Sequence, residues 1–294
     1  PAPLTADEIR SIPVHIDADF GDRIRLLGYD LEPEIVSPGD IVHLTLYWQG
    51  LTLMETDYSV FVHLLGDNDL IFGQRDRYPG QGNLPTSQWR LGEVIADRFE
   101  LRVSETALTP DEIQVEVGLY DWSTGQRLSV KEATDEPLRD RVRFGHIRLV
   151  PREREGIPNP VYFDLGGKIA LIGYDLDRTA ARPGEAFHLT LYWRCLREMD
   201  ENYSVFTHVL GDADRIWAQK DAWPRGGDAP TAAWRKGQIV EDPYELVVHS
   251  DTPPGIYELE VGMYRGDERL PVTDRNGQVR GTRIVLGKVR IMGR

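Results

Sequence analysis

Apolar and polar residues alternate along this chain with a period of two. In His43–Trp48, Leu44, Leu46 and Trp48 fall on one face, and His43, Thr45 and Tyr47 on the other. That spacing suits a half-buried strand. Ser59–Leu65 is apolar on both faces, which predicts a central strand. Further strands are predicted over Arg23–Leu31, Leu70–Gln74, Val94–Val103, Ile113–Tyr120, Arg127–Val130 and Arg143–Val150. Turn residues punctuate them at Ser37-Pro38-Gly39-Asp40, Gly66-Asp67-Asn68-Asp69 and Ser123-Thr124-Gly125, where Gly, Asp and Asn tolerate positive φ and Pro presets a bend. No segment sustains a 3.6-residue period. At most, Thr86–Trp89 forms one helical turn capped by Thr86.

The whole pattern occurs twice. Gly28-Tyr29-Asp30-Leu31 returns as Gly173-Tyr174-Asp175-Leu176, a step of 145, and His43–Trp48 returns as His188–Trp193 at the same step. Pro85-Thr86 with Trp89-Arg90 returns as Pro230-Thr231 with Trp234-Arg235. Near the end of each copy the step shrinks: Gly118 matches Gly262 and Gly145 matches Gly287, as expected when loop tips alone differ. A period of this length is a domain with its own core, not a solenoid repeat. The expected class is all-β: two tandem homologous antiparallel β-sandwich domains, immunoglobulin-like or jelly-roll. The expected organisation is a polar lead-in over 1–11, a first sandwich over 12–150, a charged linker over 151–156 and a second sandwich over 157–294. Pro254-Gly255-Ile256-Tyr257 in the second copy resembles a tyrosine corner, while the first copy carries Ile113 at the matching place.

The formal net charge is −14. Such a field repels a phosphate backbone, and no basic run offsets it, so nucleic acid is not an expected partner. The one cysteine, Cys195, excludes an intrachain disulfide and a CxxC motif. No stretch approaches the roughly 18 apolar residues of a membrane helix, so direct membrane insertion of this chain is not expected. The chain opens on Pro1 rather than Met, and is expected to be a processed or excised part of something longer.

Several residue sets merit a chemical reading. If Trp48 and Tyr58 pair across a hairpin, His43 lies opposite His63, and His188 opposite His208. Two imidazoles on one face begin a zinc site, yet no third or fourth ligand stands at ligand spacing, so a structural cross-strand contact is preferred. An immunoglobulin-like topology would instead place the two strands in different sheets. Asp67-Asn68-Asp69 and Asp212-Ala213-Asp214 suit turns better than calcium, which takes about six to eight oxygens. Asp30, Asp76 and Asp97 recur as Asp175, Asp221 and Asp242. A glycosidase needs two carboxylates across a cleft, and duplicated active sites on two small sandwiches would be unusual. No catalytic residues, metal site or cofactor is assigned.

The long connection Arg75–Gly92, matched by Lys220–Gly237, is the best candidate for binding. Tyr78, Trp89, Gln74 and Asp76 in the first copy correspond to Trp223, Trp234, Gln219 and Asp221 in the second. Aromatic rings can stack on the apolar face of a sugar while Gln and Asp take its hydroxyls. The competing reading places Trp89 and Trp234 in the core, closing the sandwich end, and leaves Trp223 as the exposed aromatic.

Ile24–Leu31, Pro38-Gly39-Asp40, Leu44–Trp48, Phe61–Leu64, Pro85–Glu93 and Val117–Asp121 together resemble β-sandwich modules found as tails of bacterial membrane glycosyltransferase-like proteins of the dolichyl-phosphate-mannose mannosyltransferase type. The resemblance covers both copies. It implies an extracytoplasmic module of the cell envelope, non-catalytic in itself, with a polysaccharide or an envelope protein as partner. A structural spacer or protein-interaction module, and a glycosidase, are the alternatives.

Overall fold

The computed structural model describes residues 3–132, 139–152 and 156–293; residues 153–155 of the expected linker lie outside them. The chain forms two compact units, Pro1–Ser104 with Asp111–Val150, and Glu105–Pro110 with Pro151–Arg294. The first unit contains β1 (Val14–Phe20), β2 (Ile24–Glu32), β3 (Ile35–Val36), β4 (Ile41–Gly50), β5 (Tyr58–Leu65), β6 (Ile71–Arg77), β7 (Val94–Arg102), β8 (Asp111–Asp121), β9 (Val130–Glu132) and β10 (Val142–Leu149). They form two five-stranded sheets, β7-β4-β2-β1-β9 and β3-β10-β8-β5-β6. Every pairing is antiparallel except that of β3 with β10.

The second unit repeats this plan with β11 (Pro160–Leu165), β12 (Ile169–Leu176), β13 (Ala180–Ala181), β14 (Ala186–Cys195), β15 (Ser204–Leu210), β16 (Ile216–Ala222), β17 (Ile239–Val247), β18 (Gly255–Arg265), β19 (Glu268–Arg269), β20 (Val272–Asp274) and β21 (Ile284–Ile291). Its sheets run β17-β14-β12-β11-β20 and β13-β21-β18-β15-β16, with β19 on β18. The chain is thus two tandem β-sandwiches. Alternation sets which residues face inward: Val42, Leu44, Leu46 and Trp48 of β4 are buried, and so are Phe187, Leu189, Leu191 and Trp193 of β14. Burying these apolar faces between two sheets is the main force holding each unit together.

Three local expectations are corrected. First, β4 and β5 lie in different sheets, so no hairpin places His43 opposite His63 or His188 opposite His208. Instead His43 sits in register between Glu32 and Glu100. Second, Thr86 does not cap a helix. A 3₁₀ turn covers Thr86–Gln88 after Pro85, and the buried Thr86 hydroxyl accepts from Tyr58 N at 3.0 Å and donates to Thr56 O at 2.9 Å. Thr231 does the same for Tyr203 N and Glu201 O. This threonine therefore pins a loop to the start of a core strand. Third, the lead-in holds a helical turn, α1 (Ala6–Arg10), closed by a reciprocal Thr5–Glu8 capping box. Its signature Thr5-x-x-Glu8 stands in the sequence.

Candidate functional site

The strongest candidate is the outer face of the sheet containing β5, together with its twin containing β15. In β5, Val60, Val62 and Leu64 point into the core and leave Phe61 and His63 on the outer side. Register then assembles rows across the sheet. Phe61 lies between Asp76 of β6 and Gly118 of β8, and His63 between Gln74 and Glu116. Ser59 pairs with Tyr120, and Tyr78 follows directly after Arg77, the partner of Val60. In the second unit Phe206 lies between Asp221 and Gly262, His208 between Gln219 and Glu260, and Ser204 beside Tyr264.

The glycine in the middle row is required by close approach. A Cβ on Gly118 would overlap the Phe61 ring, and one on Gly262 would overlap Phe206. The phenylalanine ring covers the glycine and also takes an arginine over its face. The Arg127 guanidinium sits 4.4 Å from the Phe61 centroid, and that of Arg269 sits 4.2 Å from Phe206. The neighbouring rings repeat as closely: Phe61–His63 and Phe206–His208 are 5.1 Å apart, and Phe61–Tyr120 and Phe206–Tyr264 are 6.3 Å apart. In the first unit Trp122 extends the row, 6.0 Å from Tyr120 and 65% exposed.

The polar groups are tightly held. His63 Nδ1 lies 3.2 Å from Glu116 Oε1, and His208 Nδ1 the same distance from Glu260 Oε1. Burial works to raise the Glu116 pKa, but hydrogen bonds from His63 and Arg143, with the charges of Arg143 and Arg141, bring it down to about 2. Asp76 Oδ2 accepts from the Tyr120 hydroxyl at 3.3 Å, whereas Asp221 Oδ1 lies 3.2 Å from His208 Nε2. Burial, then the Asp76 charge, raises the Tyr120 pKa, with Tyr78 adding to it.

The residues expected from the sequence divide cleanly. Register puts Gln74 and Asp76 on the outer face of the first unit, with Tyr78 just past the strand and close to Tyr120, and Gln219 and Asp221 on the outer face of the second, with Trp223 just past β16. Trp223 is 46% exposed, at the end of β16. Trp89 and Trp234 are each only 2% exposed and give their indole N–H to Leu84 O and Ala229 O, so neither presents a ring to solvent. Sequence reasoning missed Tyr120, Tyr264 and Trp122. The signal was present as Glu-x-Gly-x-Tyr in both copies, with the glycine at mid-strand.

Two of the other candidate aspartates resolve into ion pairs. Asp69 Oδ1 accepts from Arg143 Nη1 at 2.7 Å, and Asp214 Oδ1 from Arg283 Nη1 at 3.0 Å. Asp97 and Asp242 are fully buried. Among the described residues no group of three or more His, Cys, Asp or Glu side chains converges as a metal site. No helix among them is long and apolar enough to cross a membrane.

Fold and face together define a tandem β-sandwich protein with a duplicated aromatic and polar sheet surface. No family model and no curated protein matches the chain.

Proposed function

We propose that this chain is a non-catalytic pair of glycan-binding β-sandwiches, an extracytoplasmic accessory region of a membrane glycosyltransferase-like protein of the bacterial envelope. The observation that carries the reading is the sorting of its aromatics. The indoles shared by both copies fill the cores, while Tyr78, Tyr120, Trp122 and, in the second unit, Trp223 stay at the surface beside Gln74, Asp76, Gln219 and Asp221. Rings next to amides and carboxylates match the two-sided chemistry of a pyranose, apolar on its faces and hydroxylated at its rim. Carboxylates already spent on His, Tyr and Arg partners favour binding over acid–base chemistry.

Titration calorimetry of the whole chain against a panel of envelope polysaccharides and neutral oligosaccharides tests this. Binding that falls at least tenfold in W122A and in W223A, with melting temperatures unchanged, is the expected result. No binding to any glycan, or binding indifferent to both substitutions, overturns the reading.

A further inference from the structure

A hollow of about 570 Å³ opens on the first unit, lined by Arg127, Ser129, Arg139, Asp140, Arg141 and Arg143. Among the described residues, four guanidinium groups and one carboxylate line its walls. Strand β10 supplies Arg143, opposite Glu116, and the residues just before it supply Arg141, which also reaches Glu116, and Arg139, which bridges to Val130 of β9. The fourth, Arg127, is the arginine stacked on Phe61, so the hollow adjoins the aromatic rows.

Among the described residues, the contacts of Arg127, Arg141 and Arg143 leave donors to spare. Arg127 reaches Asp140 through Nη1 at 3.0 Å. Arg141 Nε lies 3.4 Å from Glu116 and 3.6 Å from Asp140. Arg143 uses Nε on Glu116 at 2.8 Å and Nη1 on Asp69. A guanidinium carries five N–H donors in a fixed fork, so these three side chains retain donors after their present partners are served. A planar carboxylate or a phosphate is the group that such forks bind in pairs. The chain's overall negative charge does not oppose this at contact range, because salt screens exposed charges beyond about 8–10 Å.

The second unit provides an internal contrast. Arg283 takes the part of Arg141, pairing with Glu260 at 3.1 Å. Val285 stands opposite Glu260 where Arg143 stands opposite Glu116, and Gly281 occupies the place of Arg139. We propose that the arginine-lined hollow is an anion subsite, so that the glycan taken by the first unit is acidic, bearing carboxylate or phosphate groups. The inference rests on the glycan-binding reading and adds the ligand's charge to it.

The whole chain is titrated with trigalacturonate, with its neutral methyl ester and with inorganic phosphate, at low and moderate salt. The acid is expected to bind at least tenfold more tightly than the ester, and the ratio to fall towards one in R139Q/R141Q and as salt is raised. Equal binding of acid and ester by the wild type overturns the inference while leaving the glycan reading in place. A ratio that survives R139Q/R141Q in a folded variant also overturns it, as does a polyglutamate peptide binding as tightly as the trisaccharide. If neither sugar binds, the glycan reading fails, and phosphate then decides the subsite alone. Phosphate shifts of the arginine side-chain resonances that disappear in R139Q/R141Q support it, and their absence overturns it. Should R139Q/R141Q not fold, R139K/R141K keeps the charges, removes the forks, and is expected to lower the acid-to-ester ratio.

Discussion

Arg77 Nη1 lies 3.0 Å from Oδ1 of Asp97, whose carboxylate has no exposure to solvent. The guanidinium also stacks 3.9 Å from the Phe99 centroid. In the second unit the matching aspartate, Asp242, is equally buried, but Ala222 stands where Arg77 stands and Tyr244 where Phe99 stands. There the carboxyl accepts from the Tyr244 hydroxyl at 2.7 Å and from Trp193 Nε1 at 3.0 Å. A backbone N–H joins in both units: Gly80 N–H donates to Asp97 Oδ1, the oxygen Arg77 already holds, whereas Arg225 N–H donates to Asp242 Oδ1, the oxygen that Tyr244 and Trp193 leave free. Burial raises both aspartate pKa values. One copy answers with a cation and the other with a neutral donor. In the first unit Asp97 Oδ2 and Trp48 Nε1 have no hydrogen-bond partner among the described residues, which marks the cation's solution as the less complete.

Arg77→Ala is therefore expected to destabilise the first unit by about 3 kcal/mol or more, because it strands a buried carboxylate. Adding Phe99→Tyr transplants the second unit's donor and is expected to recover roughly 1–2 kcal/mol. Peptide-resolved hydrogen exchange reads the two units separately. The exchange is a double-mutant cycle in one molecule, and a second substitution that deepens the loss defeats the account.

That substitution pair also shows what was legible in the sequence. The period of two marked the strands, and the 145-residue step marked the repeat, because both are local or self-referential signals. Which strands share a sheet is not local. Of the two arrangements open for β4 and β5, a hairpin or separate sheets, the second is the one found, because the Gln49–Asp57 segment carries the chain from one sheet to the other instead of turning back within one. The strand Arg127–Val130 shrank to an isolated bridge at Arg127 and the start of β9 at Val130. The face with Gln74, Asp76 and Tyr78 was half visible. Those residues lie on one strand and its exit, whereas Tyr120 and Glu116 join them only through register across β5.

Acid should weaken the first unit in a defined window. Glu116 is held near pKa 2 in the folded state, against an ordinary 4.5. A depressed carboxyl contributes stability that is fully present above its unfolded pKa and is lost as pH falls through the folded one. The loss therefore runs between about pH 4.5 and pH 2 and amounts to about 3 kcal/mol at most. Glu116→Gln is expected to be less stable at pH 7 and to show a flatter stability profile below pH 5. Denaturant melts followed in the first unit, taken across pH 2–7, check both slopes.

Two tryptophans of the first unit should respond in opposite ways. Trp89 is buried with its N–H on Leu84 O at 3.2 Å, so Trp89→Ala is expected to cost about 3–5 kcal/mol through the cavity it leaves. Trp122 is 65% exposed, and its replacement by alanine should change stability by less than about 0.5 kcal/mol. Calorimetric melting and glycan titration of the same two variants separate the roles. A destabilised W122A would place that ring in the fold rather than at a binding surface.

The second unit has a feature that its twin lacks. The Tyr257 hydroxyl donates to Pro253 O at 2.7 Å, tying the start of β18 to the turn before it as a tyrosine corner does. Its ring packs edge-on against Trp217, 6.3 Å between centroids, and the Arg215 guanidinium lies over the Trp217 ring at 3.8 Å. Tyr257→Phe keeps the ring and removes only the hydroxyl, so the expected loss is about 1 kcal/mol, confined to the second unit. Tyr257→Ala should cost several times more, because the Trp217 contact goes with it. The first unit meets the same position with Ile113, fully buried and without a polar atom to place. Ile113→Tyr is therefore expected to destabilise that unit, since the added ring and hydroxyl enter a core already filled. Hydrogen exchange near Pro253 should quicken already in Tyr257→Phe, and unchanged protection there would show that the hydroxyl bond does not anchor the turn.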